Sequence, residues 1–250
     1  MTQKNIVKGL NRRQQEVLEM IVRSYVETAE PVGSRYVSRK LNLSSATIRN
    51  VMADLEDMGY IMQLHTSAGR SPTDSGYRYY IESLMHTKNV NTDMERSVKN
   101  QYNNSVRSVE DVLDRTSYMI SNITNYVGLT LFSQYEKLYL DGTSHIVEQP
   151  EFHDLRKLYA LLKCLEQKNE LLDILRDDFN TEGVTIHIGK ENFSNSLCDC
   201  SIVTKGYKVK GKTSGRLGVI GPKRMVYEKV IPMVEFLADT VTKIFDDMEI

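Results

Sequence analysis

Cysteine is scarce in this 250-residue sequence, with Cys164, Cys198 and Cys200 its only representatives. An odd number cannot pair completely. Their spacing describes neither a disulfide framework nor a metal site, which needs more ligands at matching intervals. Long apolar runs are missing too. No stretch approaches the roughly 18 residues of a membrane-spanning helix, and the opening MTQKNIVKGLNRRQQ holds no apolar core of signal-peptide length. These absences predict a cytoplasmic protein with no membrane partner. Histidine offers little chemistry: His65, His86, His145, His153 and His187 are scattered, with no H-x-x-x-H pair and no acid placed as a catalytic partner. No nucleophile-elbow pattern is present. The sequence therefore predicts no enzyme activity, no cofactor and no metal.

One motif pulls the other way. GYKVKGKT, Gly206 to Thr213, fits the phosphate-loop pattern G-x-x-x-x-G-K-[ST] at every fixed position. Such a loop must follow a buried strand and open a helix whose first N–H groups face the phosphates. Here SGRLGVIGP follows, which is strand and turn, and Tyr207-Lys208-Val209-Lys210 alternates apolar and basic as a strand does. The segment is better explained as a hairpin with its turn over Gly211 to Gly215, and a P-loop ATPase is set aside.

The charge is uneven along the chain, although its net value is only −1. Residues 1–80 carry 11 Lys/Arg against 8 Asp/Glu, and residues 81–250 carry 21 against 25. That direction favours an N-terminal module that meets an anion. No internal repeat or low-complexity tract interrupts the pattern, which separates into residues 1–86, a helical connector at 87–125 and an alternation of strands and helices at 126–250.

The N-terminal module reads as three short helices. Asn11, with Gln14 three residues on, caps the first, whose apolar face is Val17, Leu18, Ile21, Val22 and Tyr25. Ser34 is expected to cap a second, carrying Val37 and Leu41. Ser44 caps a third from about Ser45 to Met58, which Gly59 stops. A tight connection between the last two makes a helix-turn-helix. Ile48, Val51, Met52, Leu55 and Met58 form the apolar stripe of the third helix, with Ala46, Asn50, Ala53 and Asp57 opposite and Thr47 and Arg49 on the flanks. Its first half offers Ser45, Thr47, Arg49 and Asn50, while Asp54, Glu56 and Asp57 occupy only the second half. A recognition helix presents its amino end to the major groove. There arginine suits guanine and asparagine suits adenine, because each bonds two groove atoms at once. Tyr60-Ile61-Met62-Gln63-Leu64 then reads as a strand leading into HTSAGRSPTDSG, a wing with Arg70 expected at its tip, where phosphate or a narrow minor groove would lie. Thr73 or Asp74 starts a further helix whose Tyr77, Tyr79, Tyr80 and Arg78 either pack or touch the DNA backbone.

In the connector, Tyr102, Val106, Val109, Leu113, Thr116, Ile120 and Ile123 alternate four- and three-residue steps. The seam suits a dimerising helix or an amphipathic helix lying on its own domain. Its polar members and short length favour the second.

The segments EPVGSR, ATIRNVMADLE, HTSAGR-x-PT and GYRYY resemble the winged-helix head of the HrcA family of bacterial heat-inducible transcription repressors. LYLDGTSHIVEQPEF, GVTIHIGKEN, CSIVTKGYKV and LGVIGPKRMVYEKVIPMVEF resemble the GAF-like domain of the same family. The resemblance implies an α+β protein with an N-terminal winged helix-turn-helix, a helical connector and a C-terminal GAF-like α/β domain. It implies a repressor of heat-shock (chaperone) operons that acts as a homodimer on double-stranded DNA, at an inverted-repeat operator of the CIRCE type. It also implies a GroEL-type chaperonin as partner. Members of the family usually carry an inserted dimerising segment, and here YVGLTLFSQYEK passes almost directly into LYLDGTSHIVEQPEF. Its loss leaves the seam at 102–123 and the GAF-like surface as candidates for self-association. In this frame Thr47, Arg49 and Asn50 are assigned to base reading, Arg70 to the wing contact, and Arg35, Arg39 and Ser45 to phosphate. A ligand-responsive regulator, with a small molecule in the GAF-like domain, is the alternative.

Overall fold

The computed structural model describes residues 9–63, 65, 68–87, 89–103 and 108–248. Leu64, Thr66 and Ser67 of the expected wing, and Val106 of the expected seam, lie outside them. The chain divides into two compact units, Met1–Met85 and His86–Ile250. No helix among the described residues is long and apolar enough to cross a membrane.

The first unit begins with α1 (Arg12–Thr28), opened by the capping box of Asn11 and Gln14 at 3.0 Å in both directions. Ala29, in the left-handed conformation, ends it. Next come α2 (Ser34–Leu41) and α3 (Ser45–Asp57). Val17, Leu18, Ile21, Val22, Val37, Ile48 and Leu55 are fully buried where these helices meet. Each contributes about 1.5–3 kcal/mol of burial. One cap differs from expectation. Gly33, not Ser34, is the N-cap of α2 and supplies no side-chain bond, because Val32 just before it is already extended and bridged to Arg70. The wing strands β1 (Ile61–Gln63) and β2 (Arg70–Pro72) pair antiparallel. Thr73 caps α4 (Asp74–Tyr79), which runs on into a wider turn over Tyr80–Leu84. Tyr77, Tyr79 and Tyr80 are buried, so these rings pack inside the head.

The second unit is a five-stranded antiparallel sheet between two layers of helices, the GAF-like arrangement. Its strands are β3 (Val127–Phe132), β4 (Lys137–Asp141), β5 (Val184–Ile188), β6 (Cys200–Val209) and β7 (Lys212–Pro222), in spatial order β4-β3-β7-β6-β5. Before them lie α5 (Thr92–Asn103) and α6 (Val109–Thr124); α7 (Leu155–Gln167) and α8 (Asn169–Asp177) follow β4, and α9 (Tyr227–Asp247) follows β7. Side chains alternate across the sheet. Val127, Leu129 and Leu131 join Leu161, Leu165, Leu171 and Leu175 of α7 and α8 in one core. Thr130 points the other way and donates to Leu113 O of α6 at 2.9 Å. A short turn, Ser133–Tyr135, closes the β3–β4 hairpin.

The seam is filled from within the chain. Leu113, Thr116 and Ile120 are buried, and the Tyr102 and Thr116 hydroxyls share a 2.6 Å hydrogen bond. Its polar members thus satisfy each other inside the unit. The phosphate-loop match is a hairpin: Val209 pairs with Lys212 across a turn of Lys210 and Gly211, both at positive φ. That turn is tighter than the expected Gly211–Gly215, because β7 already starts at Lys212 and the twist of the strands favours a two-residue connection.

Candidate nucleic-acid interface

The helix α3 is set up by Ser44, whose Oγ accepts from Thr47 N at 3.0 Å. The same oxygen lies 2.8 Å from Thr47 Oγ1. Ile48, Val51, Met52 and Leu55 face inward and fix the roll of the helix. Ala46, Arg49, Asn50 and Ala53 are left exposed, and Thr47 is half-buried. No acid stands in this half of the helix; Asp54 and Asp57, both exposed, come later.

The assigned residues fall into three groups. Arg35 and Arg39 are exposed on α2. Ser45, the first residue of α3, is half-buried and donates to Ser38 Oγ at 3.3 Å, so its hydroxyl is engaged with the preceding helix. Arg49 and Asn50 are exposed side by side. Arg35, Arg39 and Arg49 have no hydrogen bond or ion pair among the described residues.

Arg70 departs from the expected position. It is the first residue of β2, paired with Gln63, and does not sit at the wing tip. Its backbone is held on both sides: Val32 N donates to Arg70 O at 2.8 Å, and Arg70 N donates to Val32 O at 2.9 Å. Gly69 permits this approach, since a Cβ there would stand 2.6 Å from the Pro31 carbonyl. The Arg70 side chain then reaches α3, and Nε meets Glu56 Oε2 at 2.9 Å.

Arg35, Arg49 and Arg70 converge. With Gly33, Ser34, Met52 and Gly69 they line an open cleft of about 550 Å³ on the first unit. Arg39, Ser45, Thr47 and Asn50 do not line it. Sequence reasoning missed both the shared cleft and the part of Glu56, which it grouped with the repelled acids. Glu56 and Arg70 are 14 residues apart with no local pattern to link them.

The cysteines carry no competing site. Cys164 and Cys200 are buried, and burial pushes the Cys164 thiol up to about 12. Among the described residues no group of three His, Cys, Asp or Glu is placed to hold a metal.

Comparison with known proteins agrees with this architecture. The LexA DNA-binding domain family matches residues 7–70, and the family described as the HrcA protein C-terminal domain matches residues 129–231. Heat-inducible transcription repressor HrcA of Desulforamulus reducens is 31% identical, over 95% of this chain and 97% of its own. The protein of that name from Pelotomaculum thermopropionicum is 32% identical with the same coverage. That of Geobacter sulfurreducens is 31% identical over 95% of this chain and 98% of its own. The first alignment runs to 338 positions, longer than the 250 residues present here, so the relative carries residues with no counterpart in this chain. A crystal structure described only as a hypothetical protein superposes with a TM-score of 0.78 at 21% identity, covering 96% of this chain and 99% of that one; this likeness concerns the fold. With a DNA-binding head, a matching C-terminal domain and relatives above 30% identity along nearly their whole length, the chain belongs to the HrcA family of heat-inducible transcription repressors.

Proposed function

We propose that the chain represses chaperone operons by seating the amino half of α3 in the major groove of one half of an inverted-repeat, CIRCE-type operator, with a second copy on the other half. The observation that carries this reading is the composition of the exposed face of α3. It presents Ala46, Arg49 and Asn50 without an intervening acid, on a helix whose roll is fixed by its buried stripe. Arg49 and Asn50 are forked side chains able to bond two groove atoms of guanine and adenine respectively, with Thr47 beside them. Arg35, Arg39 and Arg70 supply phosphate contacts, which position the head without specifying sequence. The hydroxyl of Ser45 can join them by turning from Ser38.

A two-fold operator requires two heads one or more helical turns apart, hence a homodimer. The face of α6 that carries the seam is covered within the chain, which favours the remaining surface of the second unit for self-association. The cytoplasmic location follows from DNA as the target. A GroEL-type chaperonin as partner rests on family membership alone.

Selection of bound duplexes from a random pool at stated salt tests the whole reading. A two-fold symmetric consensus is expected. An unbiased pool after several rounds refutes sequence-specific repression.

A further inference from the structure

The cleft between α2, α3 and β2 gathers three guanidinium groups from three separate elements. Arg35 and Arg49 have no partner among the described residues. Arg70 has one, the Nε bond to Glu56, which leaves its two terminal nitrogens without a partner among the described residues. Like charges gathered this way repel one another, so the arrangement favours an anion between them. Planar guanidinium forks match the oxygens of phosphate. Met52 lines the same cleft and is buried, so the cleft is concave and partly apolar, where charge-assisted bonds are stronger than on an open surface.

We infer that this cleft receives a backbone phosphate of the bound DNA on Arg35 and Arg70, leaving Arg49 to base reading, and that Glu56 is a positioning residue that holds Arg70 ready for it. This rests on the DNA-binding reading above. The backbone of Arg70 is pinned by Val32 and by the β1 ladder, and its side chain is pinned by Glu56 at the far end of α3. The arginine therefore loses little freedom when the phosphate arrives. Freeing a long side chain that must be immobilised again on binding weakens a complex by about two- to ten-fold.

The inference predicts an effect opposite in sign to simple charge counting. Removing a carboxylate close to DNA should tighten binding if Glu56 does nothing except repel phosphate. If it positions Arg70, Glu56→Ala weakens binding about two- to ten-fold, and the slope of log affinity against log salt falls by about one, as for a lost phosphate contact.

The experiment measures fluorescence anisotropy of the full-length protein on its selected operator duplex and on a scrambled duplex, across a salt series. The variants are Glu56→Ala, Arg70→Ala and the double variant, with thermal unfolding of each as a folding control. The two single variants should behave alike, and the double should be no weaker than Arg70→Ala. Parental or tighter binding by Glu56→Ala, or full additivity in the double variant, overturns the inference while leaving operator recognition intact. Failure of the parent to prefer the operator overturns both. If Glu56→Ala unfolds the head, Arg70→Lys carries the same test: it keeps the charge and loses the fork, so weaker binding is expected and parental binding overturns the proposal.

Discussion

Arg216 offers the sharpest test of how the second unit is held together. Its side chain is fully buried, yet all its donors find oxygen. Nε donates to Thr204 Oγ1 at 3.1 Å, Nη1 to Asp178 O at 2.6 Å and Thr181 O at 3.4 Å, and Nη2 to Thr185 Oγ1 at 2.7 Å and Thr204 O at 3.3 Å. These bonds tie the end of α8 to strands β5 and β6. Replacement by methionine keeps most of the apolar stem. It removes two short charge-assisted bonds at about 1.5–3 kcal/mol each, and it also removes the cost of burying the cation, several kcal/mol in the opposite direction. The oxygens are not all stranded: Thr185 Oγ1 still donates to Asp178 Oδ2 at 2.8 Å, and Asp178 O still accepts from Thr181 N at 2.8 Å. The net expectation for Arg216→Met is therefore a loss of about 1–3 kcal/mol, less than the usual cost of breaking an isolated buried pair. Arg216→Ala also loses the stem, at about 0.8 kcal/mol per methylene, and should cost about 3–5 kcal/mol. Urea unfolding followed by far-UV circular dichroism gives the numbers, and hydrogen exchange of the β5 and β6 amides assigns the change to this unit. A methionine variant more stable than the parent refutes the reasoning, because the network would then be tolerated rather than stabilising.

Further expectations concern neighbouring features. Asp178 Oδ2 lies 2.8 Å from His187 Nε2, and this bond raises the histidine above its ordinary value of 6.5, with burial opposing it. Burial alone would raise Asp178 as well, but the bonds from His187 and Thr185 outweigh it and hold the carboxyl below the usual range. The histidine's contribution to stability is thus complete below about pH 6.5 and lost as pH rises through its folded value, while the aspartate's is lost only in acid. Thermal midpoints from about pH 5.5 to 8.5 should fall toward the alkaline side in the parent and flatten in Asp178→Asn; an identical slope in the two proteins contradicts the pairing. Gly128→Ala should cost about 1–3 kcal/mol by chemical denaturation, because the new Cβ would lie 2.1 Å from Ser117 O and force α6 off the sheet; unchanged stability would show that α6 shifts freely. Arg49→Ala should lose about 1–3 kcal/mol of operator affinity and relax the preference at one base pair, as read by anisotropy on operator and single-base variants; parental discrimination removes Arg49 from base reading.

What the sequence made legible was local. Asn11 and Gln14 close their capping box, Ser44 opens α3, Thr73 opens α4, and the left-handed Gly59 follows α3, because each depends on residues within one turn. Features that depend on distant partners were not legible. Ser34 has the composition of a cap, yet the Val32–Arg70 bridge fixes the chain one residue earlier. Arg70 sits in a turn-rich stretch that looks like a loop tip, and only its pairing with Gln63 and Val32 draws it into the ladder, at the pair next to the loop.

The arginines show why residue type alone could not identify the site. Arg216 stands in SGRLGVIG, which reads as a polar turn entering a strand, and nothing nearby announces the oxygens of Asp178, Thr181, Thr185 and Thr204 that receive it. A guanidinium with its N–H groups satisfied inside the protein has no need of an external anion, and its burial excludes one. Arg35, Arg39 and Arg49 are the opposite case: exposed, and without a partner among the described residues. Arg70 is intermediate, using one nitrogen inward and leaving two. The inventory of partners, which only the fold supplies, therefore separates arginines that hold the second unit together from those available to nucleic acid. Among the described residues, Arg35, Arg39, Arg49 and Arg70 keep nitrogens without a partner, and all four belong to the first unit.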